Sequence, residues 1–445
     1  MNISRLIKNI YFGKSKLSSK EYESGRNLFI FEGACAMSIF CLTSGPFLAG
    51  FASFMGASDQ FNGIIGGIPS LAAIAQIFSP MIFEKFKKKK FLLSVLAFFY
   101  RIILGLLIFI PIILIKSNER LLVLAFFYFF AYIISAIITP SASNWIVSLT
   151  PNEIRGRYFG KRDAVIISSN IIFTLGLGKI LDIFRSYGNE YSGFSIVYAT
   201  VVLLAIANFL LLSNIPEPRL ITNKTAVNLK SIITIPIKNK SFRKVIYLFI
   251  FWNIGLQLAG PFFAVYMVTG LKLDYAYIML ISLIASLIRI VMSVVWGKLA
   301  DKKTWVFTTV ASIGLLGVCH FLWSFVTLAN YHVLYPLSAI IGGIAWGGIG
   351  ISLFNIQFMF APEQGRSVYL GFNAALSGII GFISTLIGAL IIGSIGHNKL
   401  IVLGLGFGNM QMVFALSGVI IITCAIITNI MFKNHDELIQ IAPTL

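Results

Sequence analysis

Arg289 is the residue whose chemistry most needs an explanation. It lies in an apolar run at 276–297, about eight residues before the run's end, and so about 12 Å inside at 1.5 Å per residue. A guanidinium at that depth is costly unless it meets water, an acid or an anionic group of a substrate. Its chemistry is therefore either substrate binding or a structural ion pair. Arg101, some ten residues into another run, raises the same question with the same two readings. Glu32 is the acid most clearly inside an apolar segment. A carboxylate whose protonation follows its access to water would suit proton coupling, and pairing with Arg26 is the plainer use. Asn144 and Asn355 sit in apolar runs and offer a donor and an acceptor to a polar substrate, or a tie between helix ends. Asn253, Gln257 and Gln357, with Trp252 and Trp346, are further candidates of the same kind.

Other chemistries find no support. His320, His332, His397 and His435 are scattered, and no paired carboxylates suggest hydrolysis or a metal centre. Gly404, Gly406 and Gly408 form a glycine-rich run, but no strand is expected before it, as a nucleotide fingerprint requires. No phosphate-binding loop ends in Gly-Lys-Ser or Gly-Lys-Thr. Cys35, Cys41, Cys319 and Cys424 fall inside apolar runs and read as small apolar side chains. The expectation is a protein that is not an enzyme and needs no cofactor, with coupling to a proton or another ion left open.

The elements that carry these residues are membrane helices. Of 445 residues, 58% are hydrophobic and only 11% charged, outside the range of soluble domains. Twelve apolar runs are each long enough to cross a bilayer: 28–55, 61–83, 91–115, 121–149, 163–184, 192–213, 245–268, 276–297, 305–328, 334–360, 374–394 and 411–432. None alternates as a barrel strand would. The net charge of +19 concentrates in alternate loops, above all Lys85–Lys90, Arg155–Arg162 and the connector 214–244. That bias places both termini in the cytoplasm of an inner, or cell, membrane and makes anionic lipid, not nucleic acid, the partner of the basic charge. Ile3, Leu6, Ile7 and Ile10 share one helical face among basic residues, so a short helix on the membrane surface is expected within residues 1–27.

The chain is also written twice. Pro151, Arg155, Tyr158 and Gly160 recur as Pro362, Arg366, Tyr369 and Gly371, each 211 residues on, as do Asn144 and Asn355. Gly45-Pro46-Phe47 recurs as Gly260-Pro261-Phe262. Such repeats imply two six-helix bundles, 28–213 and 245–432, joined by the linker 214–244 and followed by a tail at 433–445. Small residues such as Gly63, Gly67, Gly381 and Gly388 predict close helix packing. The glycine-proline pairs predict bends in the first and seventh spans, with or without a part in gating.

Gly297-Lys298-Leu299-Ala300-Asp301-Lys302-Lys303, after the eighth span, resembles the loop motif of the major facilitator superfamily. Pro80-Met81-Ile82-Phe83-Glu84-Lys85 is a degraded first copy, with its glycine replaced and glutamate standing for aspartate. The resemblance covers nearly the whole chain by topology and only short motifs by sequence. It implies an all-α membrane protein, with twelve transmembrane helices in two pseudo-symmetric bundles, that works as a monomeric secondary transporter or facilitator by alternating access. In that family the spans carrying Arg289, Asn144 and Asn355 line the cavity, whereas third helices pack outside it, which implies for Arg101 a structural pairing with polar groups of a neighbouring helix. The motif acid pairs with bases of its own bundle. Carried over, Asp301 in its Asp301-Lys302 pair would meet Arg366, and Glu84 would meet Arg155 or Arg157, as contacts that gate the inner side. Two substrate classes compete, a polar or anionic metabolite and an amphiphilic, drug-like compound. The other class of function is a carrier-derived receptor or scaffold that transports nothing.

Overall fold

In this computed structural model the described residues are 11, 17–83, 86, 88–151, 154–218, 229–362, 366–396, 400–402 and 405–440. Eleven helices among them are long and apolar enough to cross a membrane. The first span is α1 (Ser19–Leu42) followed by α2 (Gly45–Phe54). Helix α1 opens on a capping box, in which the Glu21 amide donates to Ser18 Oγ and the Ser18 amide to Glu21 Oε2. It breaks where Gly45 takes a φ of +54°, a left-handed turn that glycine adopts without strain, and Pro46 starts α2. The run at 61–83 is likewise not a single helix: α3 (Asp59–Ala72) passes through a 3-10 turn, Ala73–Ile77, into α4 (Phe78–Phe83). Helix α5 (Lys90–Leu106) continues through a second 3-10 turn into α6 (Ile110–Ile113). Then come α7 (Ser117–Ser148), α8 (Arg155–Ser186) and α9 (Glu190–Asn214).

The second half carries α11 (Lys240–Val265), α12 (Tyr275–Lys302), α13 (Trp305–Trp323), α14 (Tyr331–Phe360), α15 (Arg366–Ile395) and α16 (Asn409–Gln440). The connector holds a helix of its own, α10 (Leu229–Lys238), packed on α15. A two-stranded antiparallel hairpin, β1 (Leu400–Val402) and β2 (Leu405–Phe407), precedes α16. The expectation of no strand before the glycine-rich run is therefore corrected. The strand leads into a hairpin rather than a strand-to-helix turn, so the nucleotide fingerprint is still not made. Ile3, Leu6, Ile7 and Ile10, expected on a surface helix, lie outside the described residues.

Two compact units result. One comprises Met1–Ala57, Ala72–Ala226 and Asp274–Met279; the other comprises Ser58–Leu71, Val227–Leu273 and Leu280–Leu445. In the first, α1 packs on α8 and α9, and α5 packs on α7 and α9. In the second, α11 packs on α15 and α16, and α13 packs on α14 and α16. These are the same four pairings, six spans later, so the duplication read from short motifs is a duplication of helix packing.

The paired tyrosines do equivalent work. Tyr158, on α8, donates its hydroxyl to the Arg26 carbonyl at 2.8 Å, near the start of α1. Tyr369, on α15, accepts from Asn239 Nδ2 at 3.3 Å, at the cap of α11. The glycine-proline pairs differ. Pro46 follows a break, whereas Pro261 lies inside α11 and leaves the Gln257 carbonyl without its helical partner. Thr385 Oγ1 supplies a donor to that carbonyl at 3.1 Å.

Small residues set the helix spacing in the second unit. Gly63 of α3 lies against the Phe262 ring, Gly67 against Thr385, and Gly381 of α15 against Gln257. A Cβ at Gly388 would fall 2.3 Å from the Leu258 carbonyl oxygen. Large apolar side chains such as Leu122, Phe126, Leu390 and Ile430 are exposed on the outside, as lipid contact requires. Gly388→Ala should therefore cost about 1–3 kcal/mol in detergent unfolding, because main chain cannot step aside. Gly160→Ala, where a Cβ meets nothing within 4 Å, should cost nothing measurable.

Candidate functional site

The second unit carries an open pocket of about 350 Å³ lined by α11, α12, α13 and α14, at the small end of ligand pockets, with Ser286 and Arg289 exposed at it. Arg289 lines it, with Ser286 one turn away on the same face of α12. Opposite stand Trp346 of α14, whose ring centre is 6.0 Å from the guanidinium carbon, and Phe263, Trp323 and His320. Glycines make room for this arrangement: a Cβ at Gly343 or Gly347 would strike the Ala285 or Arg289 carbonyl, so α14 lies directly against the backbone of α12. The cavity is thus aromatic on three sides, with one fixed cation and no carboxylate in its lining. A guanidinium in that setting favours an anionic group and offers it a planar fork of donors.

The first unit holds its charges differently. Arg101 and Glu32 are 5% and 8% exposed, and Asn208 is fully buried. Arg101 Nη1 donates to Asn208 Oδ1 at 2.6 Å, and Nη2 donates to Glu32 Oε1 at 3.4 Å. Asn208 Nδ2 donates to the same Oε1 at 3.1 Å and to the Glu32 carbonyl at 3.0 Å. One knot joins α1, α5 and α9. Arg101 therefore has the structural partner expected for it, and Glu32 pairs with Arg101, not Arg26. Arg26 instead donates to the Leu149 carbonyl.

The remaining candidates scatter. Asn144 is exposed on α7. Asn253 and Asn355 each donate to the carbonyl four residues back, and Gln357 does so while accepting from Asn373. Gln257 donates to Ser70 Oγ at 3.2 Å. None of these five lines the cavity with Arg289. Asp301, Lys302 and Arg157 are exposed. The pairings expected of them involve Glu84 and the side chains of Arg155 and Arg366, which lie outside the described residues.

The Major Facilitator Superfamily profile matches residues 28–385. The chain belongs to the Major Facilitator Superfamily. No curated protein sequence matches it. Solved structures of the superfamily's fold share little sequence with it. The nucleoside transporter NupG is 14% identical, with a TM-score of 0.62 over 93% of this chain and 99% of its own. A bacterial homologue of the iron transporter ferroportin, in an inward-facing state, is 12% identical, with a TM-score of 0.67 over 95% and 100%. The xylose transporter XylE from E. coli, in an inward open conformation, is 14% identical, with a TM-score of 0.61 over 92% and 94%. At such identities the likeness establishes the fold, and the family makes the chain a multi-pass membrane transporter.

Two polar devices of this superfamily member escaped the sequence reading. His320, set aside as scattered, is buried beside the cavity, and its Nδ1 lies 2.7 Å from Ser417 Oγ, which donates to the Gly255 carbonyl at 2.7 Å. Glu217, three residues beyond the end of α9 at Asn214, accepts from the Lys89 and Lys90 amides at 2.7 and 3.2 Å and so caps α5. Burial raises the Glu217 carboxyl above its usual 4.5, against the pull of those two amides. A raised value favours the protonated form in the fold. Its contribution is complete below about pH 4.5 and is lost as the pH climbs through the raised value. Glu217→Gln has no such loss, so wild-type melting temperature should fall relative to this variant as the pH rises from about 4.5 to neutrality. In the first unit, Arg101→Met leaves the Glu32 charge buried and alone, and chemical unfolding should show a loss of about 3–5 kcal/mol.

Proposed function

We propose that this protein is a secondary transporter that carries a small organic anion across the cell membrane by alternating access, as a monomer surrounded by lipid. The observation that carries the reading is the Arg289 cavity, a single guanidinium among aromatic walls within the membrane-crossing helices. A fixed cation in lipid is tolerated when an anion or water meets it. Here the described residues supply Arg289 with no ion pair, whereas Arg101 has Glu32. Arg289 therefore has coordination to give, and Arg101 has already given it. The transporters solved with this fold bear names that span nucleosides, sugars and metals, so the fold alone favours no one solute.

For ion coupling, the bonds of Glu32 to Arg101 and Asn208 support a structural carboxylate. A facilitator, or a carrier driven by another ion, agrees with that placement better than proton coupling through Glu32.

Proteoliposomes test both statements. Uptake of labelled organic anions should fall at least about tenfold in Arg289→Gln and be partly retained in Arg289→Lys. Unchanged uptake in Arg289→Gln would remove the anion reading. In the same vesicles, Glu32→Gln keeps the side chain's size and one acceptor, so any dependence of uptake on a pH gradient should survive it. Loss of that dependence with uptake intact would return Glu32 to the coupling role.

A further inference from the structure

Resting on the transport reading above, we propose that the Arg289 cavity selects a flat aromatic monoanion that also carries an N–H or O–H donor, received by Nε2 of His320. The argument starts with hydrogen-bond bookkeeping. Ser417 Oγ has one proton, and it lies on the Gly255 carbonyl, which can only accept. His320 Nδ1, 2.7 Å from the same oxygen, must therefore be the donor of that bond. The imidazole is fixed with its proton on Nδ1. A second proton would place a cation in the membrane beside Arg289, with no carboxylate lining the cavity to receive it. The ring is neutral, and Nε2 is left as a bare acceptor.

No described group donates to that nitrogen, although His320 is only 5% exposed. An unpartnered acceptor on a residue that lines the pocket, held in one tautomer from behind, can take a donor from whatever fills the pocket. The Phe263 ring stands edge-on to the imidazole at 4.8 Å and fixes its tilt. The other requirements come from the remaining walls. Arg289 takes the anionic group, and Trp346, Trp323 and Phe263 offer faces and edges to a flat apolar body. The volume, about 350 Å³, suits one mono- or bicyclic ring system with a short acidic arm.

Indole-3-acetate has all three features and serves as the probe. In 1-methylindole-3-acetate the donor is removed, and in indole-3-ethanol the charge is removed. Isothermal titration calorimetry on the full-length protein in detergent should show indole-3-acetate binding about five- to tenfold more tightly than its N-methyl analogue. It should bind at least about tenfold more tightly than the alcohol. His320→Asn keeps a donor toward Ser417 and removes Nε2, so it should erase the first preference and keep the second. Arg289→Gln should do the reverse. Because the ligand series is read on the wild type, the proposal stands or falls even if a variant does not fold. Equal affinity for all three ligands, no binding of indole-3-acetate at millimolar concentration, or preferences unchanged in the variants would each overturn it. The two readings fail separately. Flux of a solute that ignores Arg289→Gln and does not displace the probe would sink the cavity assignment and leave transport standing. The expected calorimetric pattern without flux of any solute in proteoliposomes would leave the site and remove the transporter.

Discussion

Inside a bilayer a polar group has no water to return to, and this protein is organised around that constraint. Several polar groups that the helices bring into the apolar layer find a partner in their own unit, and Arg289 faces a space that can hold one. The Gln257 carbonyl, orphaned by Pro261, is met by Thr385 Oγ1 from α15. The asparagines and glutamines of α11 and α14 return to the carbonyl one turn back or to a side chain beside them. With no hydrophobic force to press helices together in lipid, small residues supply the approach, and these hydrogen bonds supply the register. The glycines that let α12 lie on α14, and those that let α3 and α15 lie on α11, are thus as much a part of the site as the residues that line it.

The duplicated packing exposes a contrast in how the two units use the constraint. In the first, the third, sixth and first spans are tied by Arg101, Asn208 and Glu32. In the second, the corresponding ninth, twelfth and seventh spans are tied by His320, Ser417 and the Gly255 carbonyl. One tie is built on opposite charges, so loosening it would expose an ion to lipid. The other is neutral and uses one of two ring nitrogens. The same place in the repeat therefore serves as a closed lock in one half and as a support for an open acceptor in the other.

Much of this was legible in the sequence. Hydropathy gave the twelve crossings, because length and composition decide them almost alone, and the short motifs at a spacing of 211 gave the duplication. The chain's membership of the superfamily follows the loop motif around Asp301. What the sequence concealed was partnership. Asn208 looks like any amide in an apolar run until α9 is laid against α1 and α5. His320 has no neighbour in sequence to mark it, since Ser417 is 97 residues away. The paired asparagines Asn144 and Asn355 point the other way: their repeat spacing suggested a shared job, yet neither lines the cavity. Glu217 carried a usable signal, a lone acid in a basic connector, but its target, two backbone amides of α5, is invisible to side-chain patterning.

Arg289 and Arg101, on the eighth and third spans, which are not equivalent in the repeat, have opposite fates. Both are guanidiniums about midway along apolar helices, but Arg101 is buried and Arg289 is exposed. Arg101 is surrounded by α1 and α9, which bring an acid and an amide, and it is consumed by the fold. Arg289 meets α14 through a row of glycines and a tryptophan, none of which can accept a hydrogen bond through its side chain. Its hydrogen-bonding capacity is thus left for water or for an anion that enters the pocket.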